Sequence, residues 1–223
     1  MPTINKIIRS KRKTIALVIQ PNGELLVRAP QRATKKQINE MVDEHVDWIV
    51  KKQAKARAAQ KANAPRQFIE GEKFPFLGAF YSLQLVKNDQ PRLDLNGDFQ
   101  LAQSELGQAE QIFEQWYQGQ ARQVFMDRVE FYAGEYGFDY TKLRLSSART
   151  RWGSCSSKGT LSLTWRLVMA PLKIVDYVVV HELSHLREHN HSSKFWAQVG
   201  AILPDYKTRR KWLKENGRSF HWP

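Results

Sequence analysis

The chain has 223 residues, of which 42% are hydrophobic, enough to bury the core of one large domain or of two small ones. No segment reaches the roughly 18 consecutive apolar residues of a membrane-spanning helix, and the basic N-terminus is not followed by the apolar core of a signal peptide. The single cysteine, Cys155, has no partner for an internal disulfide. We therefore expect a globular, cytoplasmic protein without membrane contact.

The net charge of +13 is unevenly distributed along the chain. Residues 1–66 carry +10, residues 67–145 carry −5 and residues 146–223 carry +8. Two basic regions on either side of an acidic one favour contact with an anion, either nucleic acid or a phosphorylated small molecule. A solvated basic surface without a specific partner explains the same distribution equally well.

The first third of the chain predicts a β-hairpin and a long helix. Residues 14–30 form two β-rich runs around Pro21-Asn22-Gly23, a strong turn signal. Thr34 and Gln37 have the spacing of a capping box. A long helical pattern follows and ends at Pro65 at the latest, with one face formed by Ile38, Met41, Val42, His45, Trp48 and Ile49.

The middle of the chain predicts a strand pair over residues 73–89, a turn at Asn96-Gly97 and a second long helix from Leu106 to Tyr136. Gly137 is placed to end that helix. We predict an α+β fold with an N-terminal β-rich region, residues 1–105, that includes a long helix. Residues 106–223 would then form the second domain.

The C-terminal third predicts two strands, 142–147 and 159–165, joined by ARTRWGSCSSK. A buried helix follows, with Pro171 tolerated in its first turn and Asn190 as its predicted end. Further helices are indicated by apolar residues at helical spacing, namely Phe195, Trp196, Val199, Ile202 and Trp212.

The segment HELSH within the buried helix matches the motif H-E-x-x-H. His181 and His185 are four residues apart and lie on one face of a helix, so both imidazoles can bind one zinc ion. Glu182 would lie beside the metal as the general base for its water. The apolar run Val178–Val180 before the motif implies a buried helix and strengthens the interpretation, because unpaired polar groups are costly in a core.

A catalytic zinc site requires a third protein ligand, and Glu188, His189 and His191 are the nearby candidates. In a continuous helix His189 would lie about 12 Å along the axis from His181, too far for one ion. A helix break near His189-Asn190 would instead bring His191 to the metal, with the ligand spacing of metzincins. Glu188 occupies the glycine position of that pattern, and we interpret Glu188 and His189 as surface or supporting groups.

Two segments, TRWGSCSSKGTLSLTWRLVMAP and DYVVVHELSHLREHNHSSKFW, resemble the YgjP-like metallopeptidase family, which is related to the SprT and WLM metalloproteases. The resemblance is close over residues 147–200 and weaker towards the N-terminus. It implies a zincin-like catalytic core with Zn²⁺ held by His181, His185 and His191 and with Glu182 as the catalytic acid and base. Some members of the family are assigned a UTP pyrophosphatase activity.

The loop RTRWGSCSSKG supplies the candidate substrate-binding residues Arg149, Arg151 and Lys158. Arginine binds carboxylate or phosphate oxygens with two parallel hydrogen bonds, so this loop suits a peptide terminus or a nucleotide phosphate. A turn held by an Arg–acid pair and by packing of Trp152 is an equal alternative. Cys155 is not expected to be a fourth ligand, because four protein ligands would leave no position for water.

These observations predict a zinc-dependent hydrolase of the metallopeptidase type. A peptide substrate would add as a strand to residues 159–165. One alternative is a nucleoside-triphosphate (UTP) pyrophosphatase that uses the same metal site and recognises phosphate through the basic loops. A second alternative is a nucleic-acid-associated module in which the zinc is structural.

Overall fold

The computed structural model describes residues 2–62, 65–87, 92–220 and 222 of the chain. These residues form an α+β fold with six α-helices and three β-sheets, which confirms the predicted class. The chain divides into two compact units, Met1–Ala64 and Pro65–Pro223. The predicted boundary at residue 105 lies inside the second unit, because Phe74 and Phe99 share one buried core with Phe113. Among the described residues, no helix is both long and apolar enough to cross a bilayer.

The first unit contains a three-stranded sheet followed by two helices. Its strands are β1 (Ile4–Ser10), β2 (Ala16–Ile19) and β3 (Leu25–Pro30), in the order β1-β3-β2. β2 and β3 pair antiparallel and confirm the predicted hairpin, while β1 adds parallel to β3. β1 was not predicted, because its side chains are nearly all exposed and lack the alternation of a half-buried strand.

The predicted long helix of this unit is two helices, α1 (Lys35–Glu44) and α2 (Val46–Ala62). Thr34 and Gln37 form the predicted capping box, and His45 is the C-cap residue at the break. Trp48, predicted on the buried face, is 41% exposed, because the break interrupts the helical periodicity. The core of this unit contains Leu25, Val27, Ala29, Ile38, Val42 and Ile49.

The second unit begins with a four-stranded sheet in the order β4-β5-β7-β6. The predicted strand pair is β4 (Lys73–Phe76) with β5 (Ala79–Val86), and residues 88 and 89 of the predicted range lie outside the described residues. Gly97 makes the predicted turn between β6 (Leu93–Asn96) and β7 (Asp98–Ala102) with a positive φ of 76°.

The longest helix, α3 (Ala109–Tyr136), ends at Gly137 in the left-handed conformation, as predicted. Its buried face joins an aromatic core in which rings pack at centroid distances between 4.3 Å for Phe74 and Phe113 and 6.4 Å for Phe113 and Tyr117. The buried Tyr117 hydroxyl donates to the Pro75 carbonyl oxygen at 2.7 Å, so this polar atom is satisfied.

A second sheet of three strands precedes the buried helix. Its strands are β8 (Lys142–Ser146), β9 (Gly153–Cys155) and β10 (Thr160–Thr164), in the order β8-β10-β9. The predicted role of residues 159–165 in pairing with a peptide is wrong, because β10 is the central strand and both of its edges are occupied. Part of the connecting loop folds back as β9, whose outer edge has no partner strand among the described residues.

Three helices complete the second unit: α4 (Leu172–Ser184), α5 (Ser193–Ile202) and α6 (Tyr206–Asn216). Pro171, predicted in the first turn of this helix, is the N-cap residue of α4, one position before the first helical residue. The predicted end of α4 at Asn190 is wrong, since the helix ends at Ser184 and His185 is its C-cap residue.

Gly78 lies in the β4–β5 turn with a φ of 87°, and a Cβ atom there would lie 2.8 Å from Pro171 Cα. Gly97, with a φ of 76°, has no atom near that position. We expect Gly97→Ala to lower the free energy of unfolding by about 1–2 kcal/mol through backbone strain alone. Gly78→Ala should lower it by at least ~1 kcal/mol more, through the clash with the start of α4.

Urea denaturation of both variants measures this difference in the same unit of the protein. Equal losses in the two variants would show that the turn does not pack tightly against Pro171.

Candidate metal centre and adjoining clefts

The C-terminal part of helix α4 bears two polar side chains directly after a run of buried apolar residues. Val178, Val179 and Val180 are at most 3% exposed, and the next two residues are His181 and Glu182. Ser184 is also buried, and its hydroxyl donates to the Val180 carbonyl oxygen at 2.7 Å. The motif therefore lies at the C-terminal end of a helix whose position is set by core packing.

The chain leaves the helix immediately after Ser184 in a short irregular turn. Gln198 donates its side-chain amide to the carbonyl oxygen of Ser184 at 3.4 Å. Arg187 donates to the last carbonyls of α3, at Tyr136 (2.9 Å) and Gly137 (2.6 Å). Because of these contacts with α3 and α5, the chain after Ser184 departs from the axis of α4 and returns towards His181.

A second local motif places His191 at the end of this turn. The Asn190 side-chain oxygen accepts from the Ser192 amide at 3.0 Å, and the Ser192 hydroxyl accepts from the Phe195 amide as the N-cap of α5. His191 lies between Asn190 and Ser192 in the sequence. Its ring faces the end of α4.

Three histidines converge in this region: His181, His185 and His191. One ring nitrogen from each lies within 4.8 Å of the others, and the Nε2 atoms of His181 and His191 are 3.0 Å apart. The ring centroids lie between 4.9 and 5.0 Å from one another. Of the three candidates for a third ligand, the structure brings only His191 into the group; His189 is exposed and lies outside it.

These nitrogens fit a zinc ion. Two imidazole nitrogens bound to one tetrahedral zinc ion lie about 3.3 Å apart, close to the separation of His181 and His191. Burial, followed by the positive charges of His185, His191 and Arg210, lowers the pKa of His181 to about 3. His181 is therefore neutral at pH 7, with a lone pair available for a metal.

The orientation of His185 is set by the backbone. Its Nδ1 atom lies 3.0 Å from the Glu188 carbonyl oxygen, an arrangement that makes Nδ1 the donor and leaves the Nε2 lone pair for the cluster. Burial lowers the pKa of His185. Glu188 thus orients His185 through its main-chain carbonyl oxygen. The sequence does not indicate this role, because it does not depend on the type of side chain.

Aromatic side chains of α5 and α6 surround the histidines. Phe195 is fully buried, and its ring centroid lies 4.6–4.9 Å from those of all three histidines. Trp196 stacks on His191 at 5.6 Å and on Tyr206 at 5.3 Å, and the Arg210 guanidinium lies 4.6 Å from the Trp196 ring centre. The sequence marked Phe195 and Trp196 only as helix-face residues.

Glu182 is 6% exposed and lies against strand β9. A Cβ atom at Gly153 would lie 2.6 Å from both Cγ and Oε1 of Glu182, so only glycine admits this carboxylate. Burial raises the pKa of Glu182 to about 7, while the positive charge of Arg151 acts in the opposite direction. A carboxyl group of this pKa can both accept and donate a proton near neutral pH.

A narrow cleft of about 210 Å³ opens over these groups. Its lining includes Trp152, Gly153, Tyr177, His181 and Glu182. Tyr177, one helical turn before His181, therefore faces the site, and burial raises its pKa.

The neighbouring Asp176 points elsewhere. It accepts a hydrogen bond from Arg128 Nε at 2.6 Å, an ion pair that joins α4 to α3. Asp176 is thus a structural residue.

A larger polar cleft of about 590 Å³ lies beside β9, and we call it the basic cleft. Arg151 and Lys158 line it, together with Arg144 of β8, which the sequence did not single out. Arg149 is outside this cleft, and its positive charge instead contributes to the lowered pKa of the buried Arg166, for which burial is the main cause.

Cys155 also lines the basic cleft and is only partly buried. Burial, and then the negative charge of Glu182, raises the pKa of its thiol. Cys155 does not belong to the histidine cluster.

A family model described as YgjP-like, metallopeptidase domain matches residues 13–216 of the chain. None of the curated proteins matches the chain. Among solved structures, the crystal structure of the metallopeptidase zymogen of Pyrococcus abyssi abylysin is similar to 40% of this chain and 93% of its own, with 26% sequence identity and a TM-score of 0.37. The matched range, residues 13–216, contains the positions of the three histidines and of Glu182.

His191 belongs to the histidine cluster and His189 does not, so replacing each of them should affect metal binding differently. His191→Ala should weaken zinc affinity by at least ~100-fold, beyond the 10–100-fold loss that follows removal of a supporting residue. His189→Ala removes the same side chain two residues earlier and should keep the affinity. Competition with a chromogenic chelator and metal analysis after dialysis measure both variants. A greater loss of zinc in His189→Ala than in His191→Ala would contradict this ligand set.

Proposed function

Because this chain belongs to the YgjP-like metallopeptidase domain family, we propose that it is a zinc-dependent hydrolase that cleaves peptide bonds. The observation that carries the proposal is the convergence of three histidine nitrogens within 4.8 Å beside a buried glutamate. His181, His185 and His191 would hold the ion. When bound, zinc polarises a carbonyl oxygen and lowers the pKa of a water molecule to about 7.

The chain itself supplies the proton transfer. The carboxylate of Glu182 accepts a proton from the attacking water and donates it to the leaving amine. Gly153 leaves the space that this carboxylate occupies, and the buried apolar residues Val178 and Leu213 line the same cleft. The raised pKa of Glu182 suits both halves of this transfer.

The open edge of β9 offers a place for an extended peptide. β9 pairs only with β10 among the described strands, so the amide and carbonyl groups of its outer edge remain available for main-chain hydrogen bonds. Gly153, the first residue of β9, lies against Glu182. A peptide on this edge would therefore pass directly over the proposed catalytic group.

The basic cleft favours a second candidate function, hydrolysis of a nucleoside triphosphate at the same metal site. Arg144, Arg151 and Lys158 form no ion pair among the described residues, and they would compensate the charge of a triphosphate. The module with structural zinc has less support. α4 is already packed in a large apolar core, so its position does not depend on a metal.

Glu182→Gln keeps the shape of the side chain and removes its ability to take a proton. We expect peptide hydrolysis to fall by at least ~10²-fold, while the zinc content and the melting temperature persist. Glu188→Gln is the matched control, because Glu188 supports His185 through its backbone carbonyl, and this variant should keep its activity. Turnover of casein and of a peptide mixture, followed by mass spectrometry, measures both variants.

Three other outcomes would change the proposal. Retained hydrolysis in Glu182→Gln would remove Glu182 from the mechanism. Nucleoside-triphosphate hydrolysis that is lost in Glu182→Gln, without any peptide cleavage, would favour the second candidate function. Loss of the far-ultraviolet circular dichroism of the native protein on chelation would favour structural zinc.

A further inference from the structure

The outer face of the β8-β10-β9 sheet forms part of the basic cleft. Arg144, Ser162 and Ser154 are directly opposite one another on the three strands, so their side chains form one row on the same face. The residues on either side of this row point the other way: Leu161 and Leu163 are 1% exposed and belong to the core. The row therefore faces solvent and ends at the open edge of β9.

This row is cationic and has no internal acidic partner. Lys158 and Arg151 extend it at the two ends of β9, and the remaining lining residues are serines, a threonine and Cys155. Arg144, Arg151 and Lys158 make no ion pair with any described residue. Three unpaired cations among hydroxyl groups form a site for negative charge.

The alternating direction of side chains along β9 relates the position of this row to that of Glu182. Gly153 lies against Glu182, whereas Ser154 belongs to the row on the opposite face. A peptide paired with the outer edge of β9 alternates in the same way, because successive side chains of a strand point to opposite faces. When one residue of the peptide faces Glu182, the residues on either side of it face the basic cleft.

We propose that the basic cleft is a specificity subsite that receives the acidic side chains of a peptide bound along β9. This inference rests on the peptide hydrolase activity proposed above. The cations come from β8, from the segment before β9 and from the turn after it, and they are spread over about 590 Å³. Cations on three separate segments can each pair with a different carboxylate of an extended peptide.

A binding experiment tests the subsite without depending on cleavage. The zinc-loaded full chain carrying Glu182→Gln is titrated into a fluorescent peptide of about ten residues with alternating Glu and Ala, which places every carboxylate on one face of a strand. The matched peptide replaces each Glu with Gln. We expect the acidic peptide to bind at least ~10-fold more tightly, the scale of charge-assisted hydrogen bonds. The preference should decrease when the ionic strength is raised from about 0.05 to 0.5 M.

Charge-reversal variants then locate the subsite. Arg144→Glu and Lys158→Glu should each reduce the preference to less than ~3-fold, since the added charge repels the peptide. Arg122→Glu, on the exposed face of α3, makes the same change in net charge and should keep the preference. Arg151 is left unchanged, because its charge also acts on Glu182. Circular dichroism of each variant confirms that the fold is retained.

The possible results of these experiments distinguish failure of the subsite from failure of the proposed peptide hydrolysis. Equal binding of the Glu and Gln peptides, or equal loss in Arg144→Glu and Arg122→Glu, would overturn the subsite even if peptides are cleaved. Acidic peptides that bind as expected but are never cleaved by the wild-type protein would support the subsite and contradict the hydrolase activity. Displacement of the acidic peptide by UTP or single-stranded DNA at concentrations ~100-fold lower than by unlabelled acidic peptide would assign the cleft to that ligand instead.

Discussion

The burial of helix α4 is the constraint on which the rest of the second unit depends. Its core-facing residues are apolar, yet its last turn carries His181 and Glu182 into a region where unpaired polar groups are costly. The structure groups most of these polar atoms, although the buried Nδ1 atom of His181 has no hydrogen-bond partner among the described residues. The histidines meet one another, and the glutamate, with its pKa raised to about 7, occupies space that Gly153 leaves open.

The proposed metal site is assembled by elements that are distant in sequence. α3 contributes the carbonyls that hold Arg187, and α5 contributes Gln198 to the end of α4. Phe195 and Trp196 pack against the rings of the histidines. Because α4 ends at Ser184, His191 can return to within 3.0 Å of His181; a helix continuing to Asn190 would have carried the chain away.

Sheet topology determines where a substrate can lie. Strand β10, which precedes α4 in the chain, pairs with a neighbouring strand on each side. The short β9 is therefore an edge strand, and it lies beside Glu182. This arrangement gives β9 two environments: the proposed catalytic carboxylate lies on one face, and the row that contains Arg144 lies on the other. Proposed catalysis and proposed selection of acidic residues would then act on alternate residues of the same bound peptide.

The features that the sequence determined by itself are those set by local geometry. Residues four apart share a helix face, so HELSH predicts the pairing of His181 and His185, and the Thr34–Gln37 cap and the stop at Gly137 follow equally local rules. The end of α4, the edge position of β9 and the place of Arg144 in the basic cleft were decided only by the tertiary structure. Each depends on contacts with distant segments: Arg187 reaches α3, β9 pairs with β10, and Arg144 meets Ser154 only across an intervening strand.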